Sequence, residues 1–175
     1  MRASWTHAAA LDDFTQAIQR AEASACETYP LADFYHNRAF AKRKLADFSG
    51  AVDDYALALA RDPRHFKALY NRAFCLDALG RREDALRDYD AALVVEPRSA
   101  SAHHNRGVVL EKLGRLEDAV RAFDAAVDCG GDRTRGAALY ARALVLEKLK
   151  KYKAAKASFD GACKATPLDA EYHHS

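Results

Sequence analysis

A string of about thirty residues returns along this chain at a spacing of 34 positions, and that period restricts the fold more than any local pattern does. Leu69 to Pro97 reads LYNRAFCLDALGRREDALRDYDAALVVEP. An earlier copy, FYHNRAFAKRKLADFSGAVDDYALALARDP, ends at Pro63. A later copy runs AHHNRGVVLEKLGRLEDAVRAFDAAVDCGG, and a fourth, ALYARALVLEKLKKYKAAKASFDGACKATP, ends at Pro167. A unit of this length cannot bury its apolar face alone, so neighbouring units must stack to make a core.

Within each copy the apolar residues recur at helical spacing, and the copies divide into helix-turn-helix units. Their bounds are 32–65, 66–99, 100–133 and 134–169, the last with a two-residue insertion ahead of Gly136. Ala39, Ala73, Gly107 and Ala143 share one position of the first helix. Ala51, Ala85, Ala119 and Ala155 share one of the second helix, with Ala58, Ala92, Ala126 and Ala162 seven residues on. Small side chains at these sites let helix axes approach to the near end of the ~8–10 Å packing range. Tyr55, Tyr89, Phe123 and Phe159 are expected to fill the space between, together with Leu45, Leu79, Leu113 and Leu149. Gly80 and Gly114 sit where the first helix must turn, a position that tolerates positive φ. Pro63, Pro97 and Pro167 stop the second helix. In the third unit Gly130-Gly131 replaces the proline, and the loop there is the expected irregularity of the stack.

Ahead of the repeats, residues 8–25 read as a helix with Leu11, Phe14, Ile18 and Ala21 on one face. Ala10, Phe14 and Ala17 match the spacing of Ala85, Tyr89 and Ala92, so residues 1–31 resemble half a repeat that lacks its first helix. Residues 170–175 match the start of a further unit, or form a tail. On that reading the chain is a segment of a longer array. Apolar edges at Leu11-Phe14 and Phe159-Cys163 would then permit edge-to-edge self-association.

Composition narrows the function. With 27 basic and 25 acidic residues finely alternating, the chain has no basic nucleic-acid footprint overall. No apolar run approaches ~18 residues, so no membrane insertion is expected. Cys26, Cys75, Cys129 and Cys163 form no CxxC pair, which disfavours a zinc or redox site and points to reduced, mostly buried thiols. The pairs His103-His104 and His173-His174 are adjacent in sequence. Neighbours on a helix point ~100° apart, so neither pair chelates one ion readily, and no metal or cofactor is expected. No nucleophile–base constellation or phosphate loop occurs, and no catalytic residue is assigned.

The small, aromatic and proline positions together resemble the tetratricopeptide repeat family over roughly residues 32–169. The departures are Lys42, where an apolar residue is usual, and His103, at an often aromatic position. The resemblance implies an all-α, right-handed solenoid whose first helices line a concave groove. Carried over by position, the groove residues are His36, Asn37, Phe40, Lys67, Tyr70, Asn71, Phe74, His104, Asn105, Val108, Tyr140 and Leu144. Arg43, Asp77, Glu111 and Glu147 lie one turn further along. Rings supply contact area, and asparagine supplies a donor and an acceptor for a peptide backbone. Set against this, the asparagines and the arginines that follow them (Arg38, Arg72, Arg106 and Arg142) can be structure internal to the repeat.

The expected function is a non-catalytic protein-interaction scaffold that takes a peptide or helix in its groove, within a larger assembly. One alternative is a chaperone-tail adaptor. Asn37 and Lys67 match parts of that subclass's carboxylate clamp, but Asn71 stands where an arginine belongs, and no lysine–asparagine pair precedes residue 37. Another is the substrate-selecting arm of a larger enzyme. The run Lys148, Lys150, Lys151, Lys153 and Lys156 is either a solvated face or a dock for an acidic partner. The expected compartment is cytoplasmic, with a cytoskeletal or ciliary assembly as one setting.

Overall fold

The computed structural model describes residues 2–24 and 30–165, and every regular element among them is an α-helix. The order is α1 (Arg2–Ala23), α2 (Leu31–Lys44), α3 (Phe48–Arg61), α4 (Phe66–Ala78), α5 (Arg82–Val95), α6 (Ala100–Lys112), α7 (Leu116–Cys129), α8 (Asp132–Lys148) and α9 (Tyr152–Ala165). The leading helix begins six residues before the expected start at position 8. Cys26, Pro167 and the stretch 170–175 lie outside the described residues.

Two compact units divide the chain at Val95 and Glu96. In the first, α2 pairs with α3 and α4 with α5, α1 packs on α2, and α3 packs on α4. In the second, α6 pairs with α7 and α8 with α9, while α7 packs on α8. The first helices of consecutive hairpins also touch, α2 with α4 and α6 with α8.

The small positions do what the spacing predicts. Ala39, Ala73 and Ala143 are fully buried, as are Ala51, Ala85 and Ala119, and Ala58, Ala92 and Ala126. Gly107 is small of necessity, because a Cβ there would lie 2.7 Å from the ring of Phe123. Tyr55, Tyr89 and Phe123 are the largest fully buried side chains, and Phe159 in the last hairpin is half-buried. The leucines differ from expectation. Leu45 and Leu79 are exposed, and Leu113 and Leu149 half-buried, because each caps the C-terminus of a first helix at the tip of its hairpin.

One hairpin turn is used four times. The residue after each cap is left-handed: Ala46 (φ 63°), Gly80 (78°), Gly114 (76°) and Lys150 (59°). The amide that follows then reaches back to close the helix. Asp47 N donates to Lys42 O (3.0 Å), Arg81 N to Leu76 O (2.8 Å), Arg115 N to Leu110 O (2.9 Å) and Lys151 N to Leu146 O (2.9 Å). This is the six-to-one closure that satisfies orphan carbonyls at a helix end.

The third connection, expected from Gly130-Gly131 to be irregular, differs from the others by being shorter, two residues between α7 and α8 against four after α3 and after α5. Gly131 stands at the N-cap of α8 in extended conformation, and α8 takes in the two extra residues and two more that belong to the connection elsewhere, reaching 17 residues against 13 in α4 and α6. A helix absorbs extra residues at its open end without disturbing the stack. The thiols also depart from expectation, since Cys75 is buried but Cys129 is half-buried and Cys163 exposed.

Candidate ligand-binding face

The arginines are explained first. Arg38 grips Asp54 with two bonds of 2.7 Å, Arg72 grips Asp88 at 2.6 and 2.7 Å, and Arg142 reaches Ser158 (2.9 Å) and Asp124 (2.7 Å). In the first two repeats, and in the Arg142–Ser158 bond, the partner lies 16 residues on, from the first helix to the second of one hairpin. Arg38, Arg72 and Arg142 thus tie together the two helices of their own hairpins. Lys42, the odd residue of the first repeat, joins the same site: its Nζ lies 2.8 Å from Asp54.

In the first unit, α2 and α4 bring the candidate residues together in two adjoining clusters. His36 is buried and forms the centre of the polar one. Its Nδ1 donates to Asn37 Oδ1 (3.1 Å), and Asn71 Nδ2 reaches its Nε2 at 3.4 Å. The ring stacks on His65 with centroids 5.0 Å apart and packs on Tyr55 at 5.7 Å. His65 is also fixed on both sides, accepting from Ala68 N at Nδ1 (3.1 Å) and facing Asp33 with Nε2 (3.2 Å). Burial pushes the pKa of His36 down, and the nearby His65 and Lys67 push the same way, against Asn37 and Asp33. Lys67 itself is exposed.

The aromatic cluster is held by a cation. The Arg43 guanidinium lies 4.8 Å from the Phe40 centroid and 5.1 Å from that of Phe74, with Lys44 over Phe40 at 5.3 Å. Phe74 is 40% exposed and meets Phe48 edge-on at 6.4 Å. Beneath the cation, burial raises the Tyr55 hydroxyl and pushes the Cys75 thiol up to about 11. Tyr70 stacks on Phe66 and meets Tyr89 edge-on. The sequence placed Arg43 one turn beyond the groove row but did not connect it with the rings of Phe40 and Phe74. Its signal was a basic residue three positions after Phe40, within one helical turn.

In the second unit His104 packs on Phe123 at 5.4 Å, its Nδ1 buried without a hydrogen-bond partner, and burial lowers its pKa. Asn105 and Val108 are half-buried on α6, while Tyr140 and Leu144 on α8 are exposed. Tyr140 meets Phe159 at 5.7 Å. Glu111 and Lys148 link α6 to α8 at 2.6 Å, which removes Lys148 from the free lysine cluster. Lys150, Lys151, Lys153 and Lys156 are exposed around the exposed Tyr152.

Elsewhere the first unit holds a cavity of about 290 Å³ over Leu76, walled by Arg72, Arg81, Arg87, Asp84 and Asp88. Its carboxylates are already taken: Arg72 holds Asp88, and Arg81 and Arg87 both hold Asp84. Among the described residues no three His, Cys, Asp or Glu side chains converge as metal ligands, and no helix is long and apolar enough to cross a membrane.

Two family models, each described as tetratricopeptide repeat, match residues 76–134 and 136–167, together just over half the chain. No curated protein sequence matches. Among solved structures, a crystal structure of the MamA protein superposes with a TM-score of 0.83 at 13% identity, over 99% of this chain and 90% of that one. BtubC from P. vanneervenii gives 0.79 at 18%, over 93% and 74%. A tetratricopeptide repeat protein from Parabacteroides merdae gives 0.75 at 20%, over 97% and 69%. At these identities the likeness is one of fold, an all-α solenoid of helical repeats.

Proposed function

The chain belongs to the tetratricopeptide repeat family, and from that premise we propose that it is a non-catalytic scaffold binding an extended peptide or helix along its first helices. One observation carries the reading. On α2 and α4 of the first unit, the half-exposed ring of Phe74 and the Phe40–Arg43 pair adjoin the half-buried amides of Asn37 and Asn71. An aromatic wall beside hydrogen-bonding amides supplies the buried area and the polar matching that a peptide needs. Tyr70 and Lys67 flank it, and in the second unit Tyr140 and Leu144 offer exposed apolar area of the same kind.

The bound partner is expected to be a segment of another protein in a larger assembly. The chaperone-tail reading is disfavoured because Asn71 stands where the clamp needs an arginine, and no observation here favours the enzyme-arm reading. Lys150, Lys151, Lys153 and Lys156 form a second, acidic-partner surface, because no carboxylate pairs with them among the described residues.

The test is capture of partners on the intact chain, mapping of the bound segment, and titration with that segment. Phe74→Ala is expected to weaken binding by about 2 kcal/mol, the loss of a hot-spot anchor. If a folded Tyr70→Ala, Asn71→Ala chain binds the segment as tightly as the parent, the surface lies elsewhere.

A further inference from the structure

The pairing around His36 determines which way two amides face, and that has a chemical consequence. Asn37 Oδ1 accepts from Nδ1, so the hydrogen of the neutral imidazole is on Nδ1 and Nε2 is the acceptor for Asn71 Nδ2. The ring thereby engages one lone pair of the Asn37 carbonyl and one N–H of Asn71. What it leaves wholly unengaged is the NH2 of Asn37 and the carbonyl of Asn71, a donor and an acceptor on adjacent helices. One peptide group offers the matching acceptor and donor. A carboxylate, which only accepts, cannot satisfy Asn71 Oδ1.

Resting on the reading of this face as a peptide site, we propose that neutral His36 is a positioning residue that arms Asn37 and Asn71 as a donor–acceptor pair for one backbone amide, and that protonating it disarms the pair. The imidazolium carries a hydrogen on both nitrogens, so Nε2–H would face Asn71 Nδ2–H, donor against donor. Asn71 must then turn its carbonyl inward and its NH2 outward. The two amides now present donors only, beside Lys67, which is a carboxylate site. The groups around the ring are Asp33 and Asn37 of α2, Tyr55 of α3, His65 ahead of α4, and Lys67 and Asn71 of α4. The stacked His65 is itself held as an acceptor by its cap on Ala68 N, so it offers no negative charge to a protonated neighbour. Burial of the ring favours the neutral form, so disarming needs a pH below the usual ~6.5 of histidine. His104, the equivalent residue of the second unit, leaves Nδ1 unbonded, and no such relay forms there.

The experiment is NMR on the whole chain, with N-methylacetamide as peptide-group probe and acetate as carboxylate probe. At neutral pH His36 is expected as the Nδ1–H tautomer. N-methylacetamide should shift the side-chain NH2 signals of Asn37 and Asn71, and acetate should not. On acidification the amide response should vanish as His36 titrates, and an acetate response should replace it. His36→Phe keeps a ring for the stack and should lose both responses. His36→Gln can still donate and accept, and should keep the N-methylacetamide response while losing its pH dependence. An Nε2–H tautomer, an acetate response at neutral pH, or an undiminished amide response in His36→Phe would each overturn the proposal. Should His36→Phe not fold, the tautomer and probe measurements on the parent chain and the glutamine variant decide alone. If Phe74→Ala abolishes partner binding while the probe responses ignore His36, the peptide face stands and this inference falls.

Discussion

Removing the carboxylate of Asp54 should destabilise the first unit far more than removing an ordinary surface charge. The side chain is 3% exposed and faces Arg38 (16%) and Lys42 (22%) at 2.7 and 2.8 Å. Asp54→Ala leaves two cations without a counter-charge in a site with little water. Breaking a buried pair from one side costs ~3–5 kcal/mol. Both cations retain some solvent contact, so the lower end of that range, about 3 kcal/mol, is expected. The chain contains its own control. Positions 42 and 54 of the first repeat correspond to Leu110 and Ala122 of the third, both buried and apolar. Leu76 and Leu146 occupy the Lys42 position in the other two repeats and are buried as well. Lys42→Leu, Asp54→Ala therefore recreates an arrangement that the fold already accommodates. It should recover at least half of the loss, because burying a leucine contributes ~1.5–3 kcal/mol. Urea unfolding of the parent, both single variants and the double variant gives the coupling. It should persist in high salt, since buried pairs are little screened. The argument is refuted by a loss below about 1 kcal/mol in Asp54→Ala, or by a loss that is just as large when Asp54→Ala is made in the Lys42→Leu background.

Three further outcomes follow from the geometry. Ala46→Gly and Lys150→Gly should each stabilise by about 0.5–1 kcal/mol in urea melts, because both residues hold left-handed backbone that glycine adopts freely. Gly80→Ala should destabilise by a similar or larger amount. Gly107→Ala should cost ~1–3 kcal/mol by forcing a methyl against Phe123, with partial recovery in Gly107→Ala, Phe123→Leu. Burial lowers the pKa of His36 and His104, so the unfolded chain takes up protons first on acidification. Their contribution to stability is therefore complete above about pH 6.5 and declines as pH falls from there through their folded-state pKa. The urea midpoint of the parent should drop over that range, and less steeply in His36→Phe, His104→Phe.

The period, the hairpins, the tight small positions and the turns at Gly80 and Gly114 follow from sequence because each is a local or nearest-neighbour demand; the same turn at Ala46 and Lys150 carries no glycine to mark it. A small residue, alanine or Gly107, is required at the same place of the first helix in every copy. The repetition therefore spells it out. The arginines could be read from sequence as internal to the repeat, but their partners, 16 residues on at Asp54 and Asp88, came only from the structure. Lys42 looked like a defect because its reason lies across the hairpin, in an aspartate that the third and fourth repeats lack. The members of the candidate face were carried over by position, but the contacts among them depended on tertiary structure. Whether His36 lies in a groove or beneath it, and whether Arg43 reaches water or the rings of Phe40 and Phe74, depends on rotamers chosen between α2 and α4. Such contacts join residues about one repeat apart whose identities change from copy to copy. Periodicity records what all the copies share; the hydrogen bond from Asn71 to His36 rests on a histidine that gives way to Tyr70 and Tyr140 in the second and fourth repeats, and only packing could determine it.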